Sequence, residues 1–212
     1  MSEEACDRGD LIVIAAPSGA GKTTLVHALR ERMRDLIFSV SHTTRQARVS
    51  ERDGVDYFFI DEIQFRQMIE SGDFLEHAQV FDNWYGTSKA VVEALRTRGK
   101  TVILEIDWQG AQQVRSAAPD AKTIFIMPPS VAELERRLCS RGTDSETTIA
   151  RRSKDSVSDM RRWEEFDYVI VNEDLTEAVQ ALADIVAGQG GAHRCEVPET
   201  RPRVERILAG HD

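Results

Sequence analysis

Leu11-Ile-Val-Ile-Ala-Ala-Pro-Ser-Gly-Ala-Gly-Lys-Thr23 is the stretch on which the fold turns. Its first six residues are a continuous apolar run, the pattern of a strand buried on both faces. The segment from Ala16 to Thr23 nearly matches GxxxxGK[ST], a loop that wraps nucleotide phosphates. Gly19 and Gly21 let the backbone turn so that several N–H groups point inward. A helical pattern over residues 23–33 then offers its positive N-terminal end to the same anion. Lys22 adds a mobile charge for the β and γ phosphates, and Thr23 offers a hydroxyl to Mg²⁺. Pro17, Ser18, Gly19, Ala20, Gly21, Lys22, Thr23 and Thr24 are therefore the candidate ATP-binding residues. Ala16 stands where the loose pattern has Gly, a small departure if that residue keeps strand-like dihedrals.

Similar apolar runs recur at residues 101–106, 122–127 and 168–172, with a weaker one at 37–41. Helical patterns separate them at 88–98, 130–139 and 174–187. Ser130 with Glu133, and Asp174 with Glu177, read as capping boxes. Strands alternating with helices predict an α/β fold with a parallel sheet. Two regions break the rhythm. Residues 42–87 read as a small mixed insert, with Asp53-Gly54 as a hairpin signal before a short strand at 57–60, a strand at 74–80, and a turn at Asp82-Asn83. Residues 140–166 read as a long polar helical stretch. Beyond Gly188 a flexible break precedes a short helix near 202–208.

The chain has 212 residues, 41% hydrophobic and 30% charged, enough for a real core. The net charge of −9 speaks against a protein that coats nucleic acid or an anionic membrane. Yet 22 of the 27 basic residues are Arg, which grips phosphate with a planar fork. No stretch approaches the roughly 20 apolar residues of a membrane span. The polar first ten residues have no signal-peptide core, so the expected compartment is the cytoplasm. Three cysteines without CxxC spacing argue against disulfides and a cysteine zinc site, and the five histidines form no metal-binding pattern.

After the second strand comes Ser41-His-Thr-Thr-Arg45-Gln-Ala-Arg48, two arginines three apart that can converge on one phosphate. Then follow Asp53-Gly-Val-Asp-Tyr57, Phe74-Leu-Glu76-His-Ala, Asn83-Trp-Tyr85-Gly-Thr87 and Ile103-Leu-Glu-Ile-Asp107-Trp-Gln-Gly110. In this order and spacing, from about residue 11 to about 187, the chain resembles guanylate kinase, a nucleoside monophosphate kinase family that makes GDP from GMP and ATP. The resemblance implies a P-loop three-layer fold with a central parallel sheet, a GMP-binding insert and a helical lid. The core would be residues 1–41, 88–139 and 167–190, the insert 42–87 and the lid 140–166, leaving a tail of unknown role at 191–212.

By the same resemblance Arg45, Arg48, Tyr57 and Tyr85 hold the GMP phosphate, through bidentate charge-assisted bonds and phenol hydroxyls. Glu76, Ser41 and Thr87 read guanine, and Asp107 lies on the guanine side. Guanine presents N1–H and N2–H₂ donors side by side to a carboxylate; adenine lacks that pair. Taken singly, Tyr57, Tyr85 and Glu76 read as core or surface residues; in order behind a phosphate loop they read as a site. Thr43 and Thr44 are turn-shaping candidates, and His42, Trp84 and Gln109 are structural or peripheral. Two departures stand out. Ala47 replaces the Pro often found between the arginines, and Glu105-Ile-Asp107 replaces Asp-x-Asp, leaving open whether Glu105 approaches Mg²⁺.

The segment from Arg136 to Arg162 holds eight basic and four acidic residues, a local +4 within a body of −13. The matching lid positions are Arg141 and Arg152; with Lys22, Arg45 and Mg²⁺ they would surround the transferring phosphoryl group. Arg137 and Asn172 are expected beside the adenine, whereas Arg151, Lys154, Arg161 and Arg162 read as a solvated face with pairs such as Arg151 with Asp155. The expected partners are ATP, GMP and dGMP, with no nucleic acid and no membrane. Two rivals are disfavoured: an enzyme of the same fold acting on a phosphorylated ribose, by Glu76, Ser41 and Thr87, and a non-catalytic module that binds phosphorylated proteins, by the intact Lys22 and Thr23 and the lid arginines.

Overall fold

The computed structural model describes residues 8–80, 82–140 and 146–210, with side chains for all of these but 146–150. Five strands, β1 (Leu11–Ala15), β2 (Ile37–Phe38), β7 (Val102–Ile106), β8 (Lys122–Met127) and β9 (Tyr168–Val171), form one sheet in the order β2-β7-β1-β8-β9. The β2–β7 and β8–β9 pairs are parallel. Every residue of β1 is fully buried, as its uninterrupted apolar run requires. Each Leu or Ile so buried contributes about 1.5–3 kcal/mol. A second sheet, β4-β3-β6-β5, consists of β3 (His42–Thr43), β4 (Phe58–Phe59), β5 (Phe74–Val80) and β6 (Asn83–Ser88). With the helices described below, this is a mixed α/β fold.

By its contacts the chain divides into two compact units. One runs to Val13 and continues through Asp35–Glu105 and Gln109–Lys122; the other takes Ile14–Arg34, Ile106–Trp108 and the chain from Thr123 onward. The first holds the second sheet with α2 (Glu62–Glu70), α3 (Lys89–Thr97) and nearly all of α4 (Trp108–Ala117). Asp61 and Gln64 form a reciprocal capping box at the start of α2, with bonds of 2.7 and 3.3 Å. Asp53-Gly54 does not close a hairpin: β4 pairs parallel to β3, His42 opposite Phe58. Gly54 instead takes a positive φ of 72° and donates to the Tyr57 carbonyl at 2.8 Å, tightening the approach to β4. The antiparallel hairpin is β5–β6, with Val80 opposite Asn83, so Asn83 is a strand residue rather than a turn residue.

The second unit holds α1 (Lys22–Arg32), α5 (Val131–Cys139), α6 (Glu146–Met160), α7 (Leu175–Val186) and α8 (Thr200–Leu208). Of the two expected capping boxes only the forward bonds form: Ser130 accepts from Glu133 N–H at 3.1 Å and Asp174 from Glu177 N–H at 3.0 Å. The Glu133 carboxylate turns instead to Arg136 and Arg137, each at 2.6 Å, and these arginines hold its pKa down at about 2. Bonds charged on both partners outcompete the return bond from a neutral backbone N–H. The tail is folded. Arg194 bridges Tyr168 at the start of edge strand β9, Cys195 N–H donates to the Asp167 carbonyl at 3.0 Å, and Val204 and Ile207 of α8 are buried.

Candidate active site

In the second unit the phosphate loop is braced from beneath. Gly19 and Gly21 take φ of 91° and 92°, where a side chain would strain the backbone. A Cβ on Gly21 would also lie 2.3 Å from Asn172 Nδ2. That Asn172 amide donates to the Ala20 carbonyl at 2.7 Å, and Arg137 donates to the same carbonyl and to the Asn172 carbonyl, both at 3.2 Å. Arg137 and Asn172, expected beside the adenine, thus turn a loop carbonyl into the protein. Across the trans peptide the Gly21 N–H points the opposite way from the Ala20 carbonyl, while the Ala20 N–H donates to the Pro17 carbonyl at 3.2 Å. Gly21 caps α1 without a side chain, and the first turn carries no acid, so the positive helix end is not offset from within.

Lys22 Nζ donates to the Ile106 carbonyl at the end of β7, 2.9 Å away. Thr23 and Thr24 are exposed in the first turn of α1, while Pro17 is buried and Ser18 half-buried. Ser18 joins the loop to α6: Arg152 donates to its hydroxyl, and Ser156 Oγ donates to its carbonyl at 3.0 Å. Arg152 is therefore a loop neighbour. Arg141 lies outside the described residues. Further along α6, Asp159 accepts from the Trp108 side chain, and the Arg162 guanidinium lies 4.6 Å from the centre of the Trp108 ring. Arg162 is thus seated on an indole, not simply solvated. Burial, with Asp107 and Asp155 nearby, pushes the Asp159 carboxyl up to about 6. Arg151 and Asp155 do form an exposed pair, at 3.8 Å.

In the first unit two clusters form on the second sheet. In one, Thr87 Oγ1 donates to Glu76 Oε1 at 2.6 Å, and Ser41 Oγ lies 3.4 Å from Thr87 Oγ1. Glu76 is 3% exposed and Thr87 fully buried. Strand pairing explains the meeting, since Glu76 of β5 stands opposite Thr87 of β6. Ser41 leads directly into β3, the next strand over. Glu76 is thus a carboxylate held away from water with a hydroxyl on one oxygen, and a carboxylate is an acceptor at both of its oxygens.

In the other cluster Tyr57 and Tyr85 meet edge to face, ring centres 6.0 Å apart, and the Arg45 guanidinium lies 5.4 Å from the Tyr57 ring. Burial, then the Glu105 charge, raises the Tyr57 pKa, keeping the phenol a neutral donor. Thr43 Oγ1 accepts from Arg45 N–H at 3.1 Å and donates to the Trp84 carbonyl at 2.9 Å, which sets the start of the arginine segment. The residue that sequence reasoning missed here is Glu51. Its carboxylate receives Arg45 Nη1 at 3.0 Å, Arg45 Nη2 at 2.8 Å and Arg48 N–H at 2.8 Å. Arg45 holds that carboxyl below the usual range, and Glu51 in turn raises the Arg45 pKa. Arg48 keeps its side chain 75% exposed. The loop therefore closes on itself through one carboxylate. Glu51 lies three residues beyond Arg48, an internal counter-ion spacing that could have flagged it.

A loop for nucleotide phosphate, a buried carboxylate with hydroxyl neighbours, and an Arg–Tyr cluster are the parts on which the resemblance depends. The guanylate kinase family model matches residues 8–189. The guanylate kinase of Chromohalobacter salexigens is 50% identical over 204 residues, covering 96% of this chain and 90% of that protein. That of Hydrogenovibrio crunogenus is 54% identical over 177 residues, 84% of this chain and 86% of that one. In three dimensions the crystal structure of guanylate kinase from Anaplasma phagocytophilum aligns with a TM-score of 0.72 at 32% identity, covering 92% of this chain and 94% of that one. Sequence order, fold and identity at this level agree, and the chain belongs to the guanylate kinase family, whose known reaction is phosphorylation of GMP by ATP.

Proposed function

We propose that this ATP:GMP phosphotransferase divides its work between a donor half, built on the phosphate loop, and an acceptor half, built on the insert. Pro17, Ser18, Gly19, Ala20, Gly21, Lys22, Thr23 and Thr24 hold ATP. Lys22, Arg152 and Arg141 neutralise the charge of the transferring group from the donor side, and Arg45 does so from the acceptor side. Arg45, Arg48, Tyr57 and Tyr85 hold the GMP phosphate; Ser41, Glu76, Thr87 and Asp107 read the base. None of these residues is asked to read the ribose, so dGMP is a second acceptor.

The acceptor oxygen belongs to a phosphate with a second pKa of about 6, largely ionised at neutral pH. No general base is required, and the work is alignment and charge neutralisation. Exclusion of water falls to the insert, residues 42–87, and the lid, residues 140–166. Mg²⁺ favours few protein ligands and several substrate phosphate oxygens. Among the described residues no group of three His, Cys, Asp or Glu could hold a metal, and Thr23 presents an exposed hydroxyl on the first turn of α1. That donor set fits an ion carried in with ATP and held by Thr23. Bound there, the ion would neutralise charge on the β and γ phosphates. No helix among the described residues is long and apolar enough to cross a membrane. We assign the enzyme to the cytoplasm on its proposed substrates, ATP and GMP.

The observation that carries the acceptor assignment is the Thr87–Glu76 bond of 2.6 Å on a carboxylate 3% exposed. A carboxylate accepts at both oxygens, and guanine offers it two adjacent donors that a bare sugar lacks. A coupled assay of ADP release with GMP, dGMP, AMP, dTMP and ribose bisphosphate tests it. Turnover is expected with GMP and dGMP; equal turnover with AMP or with the ribose bisphosphate would refute the assignment.

A further inference from the structure

We propose that Gln113 is a positioning residue for guanine recognition, acting as a surrogate strand on the outer edge of β5. The proposal rests on the assignment of Glu76 as the guanine reader. β5 ends the four-stranded sheet, with β6 on its inner side. An end strand carries a row of backbone donors and acceptors that no ladder takes up. At His77 one side chain takes them up. Gln113 Oε1 accepts from His77 N–H at 3.0 Å, and Gln113 Nε2 donates to the His77 carbonyl at 2.7 Å. This is the two-bond exchange between opposed residues of an antiparallel ladder, here made by a primary amide whose donor and acceptor match a peptide group. Gln113 stands in α4 beside buried Ala111 and Val114, so the helix presenting it is itself anchored.

Glu76 immediately precedes His77. On the other side of Glu76 the ladder to β6 is irregular, with a register shift between Phe74 and Glu76. A bulge bends a strand and leaves part of it without ladder bonds. The backbone at Glu76 is thus loosely specified toward Phe74 and doubly bonded at His77, by Gln113. Movement of the His77 backbone passes directly to Glu76. A carboxylate that must meet two adjacent donors loses both bonds when displaced by a fraction of an ångström.

The experiment uses the full chain with Gln113→Leu, Gln113→Glu, Glu76→Gln and the Leu/Gln double variant. It measures kcat, the KM for GMP, AMP and ATP, and the GMP:AMP ratio of kcat/KM. For Gln113→Leu the GMP KM is expected to rise about 10- to 50-fold and the GMP:AMP ratio to fall by about tenfold, as for loss of hydrogen bonds that position a charged acceptor. The ATP KM and kcat should stay within about threefold, because the donor half is not touched. In Gln113→Glu a carboxylate keeps the acceptor for His77 N–H but loses the donor to its carbonyl. Protonation restores that donor, so its GMP KM, divided by the wild-type value at each pH, should fall toward one as pH is lowered through the glutamate range, from about pH 6 to about pH 4. A side chain that only stabilises the fold would not give this recovery. In the double variant the GMP:AMP ratio should drop no further than in Glu76→Gln alone.

If Glu76→Gln leaves the ratio intact, the guanine assignment fails and this proposal fails with it. If Glu76→Gln collapses the ratio while Gln113→Leu leaves GMP KM and ratio unchanged, the Gln113 proposal alone is overturned. Equal rises in GMP and ATP KM, or additive effects in the double variant, also overturn it. Should Gln113→Leu fail to fold, the Gln113→Glu profile decides, and a flat ratio across pH refutes the role.

Discussion

Glu76→Gln should convert a guanine-selective acceptor site into one that barely distinguishes the purines. The structure supplies the terms. Thr87 Oγ1 donates to Glu76 Oε1 at 2.6 Å, and the side chain has 3% exposure, so water cannot repair a mismatch. In the variant the amide oxygen keeps the Thr87 bond, and the NH₂ group takes the place of the second carboxylate oxygen. A donor then faces the N1–H and N2–H₂ donors of guanine. One charge-assisted bond worth about 1.5–3 kcal/mol is lost, and an unpaired buried donor adds about 1–3 kcal/mol. Taking about 3–4 kcal/mol together, kcat/KM for GMP falls by roughly 10²–10³-fold. Adenine presents an unprotonated N1 beside an amino group, which an amide can match, so AMP gains about 1 kcal/mol. The GMP:AMP ratio should therefore fall by about 10³-fold in a coupled ADP-release assay, with ATP KM and thermal midpoint unchanged. A ratio that moves by less than about tenfold, with the variant folded, refutes the reasoning that a buried carboxylate reads the base.

Lys22→Ala and Arg141→Ala should each lower kcat by more than they raise the GMP KM, as steady-state kinetics would show; unchanged kcat in both sinks the electrostatic mechanism. Glu51→Ala leaves Arg45 without the two bonds of 2.8 and 3.0 Å that orient it, and should raise the GMP KM by about tenfold with ATP KM unaffected; a lowered GMP KM would mean that Glu51 only competes with the phosphate. Asp159 is raised from 3.8 to about 6, chiefly by burial, so the folded protein binds a proton there that the unfolded chain has already released. Its ionisation therefore costs stability as pH rises through that window, and Asp159→Asn should stabilise by about 1–2 kcal/mol at pH 7 after allowance for solvent screening. Denaturant titrations should find that gain vanishing below about pH 4; a gain independent of pH would assign it to packing instead.

How much of this was legible beforehand depends on where each residue's reason lies. β1 and the loop were legible because burial on both faces removes all polar residues from a strand, and because the Gly19 and Gly21 spacing is dictated by local dihedrals. The helix α2 escaped notice because Phe65 is its only buried residue, which leaves no 3.6-residue stripe to find; its capping box, Asp61 with Gln64, was the available signal. In α4 the buried face is Gly110, Ala111 and Val114, too small a group to stand out against Gln112 and Gln113. Asp53-Gly54 misled for a different reason: a positive φ serves a hairpin and a parallel approach equally well, and only the partner strand decides between them.

The site divides along the same line. Residues that would touch nucleotide had a readable order, since chemistry fixes both their type and their spacing. Glu51, Asn172 and Gln113 act on other protein groups: a guanidinium, a loop carbonyl and a strand edge. Gln113 lies 36 residues from the His77 backbone it holds, and Asn172 lies 152 from Ala20, so no local pattern announces either. A backbone group, moreover, has no sequence identity to match, which is why Gln113 could be found only once the His77 N–H and carbonyl were seen to share one amide. The residues that set precision are thus the ones least written in the chain. Where the chemistry is alignment, as proposed here, rather than proton transfer, they are where variants should separate KM from kcat most sharply.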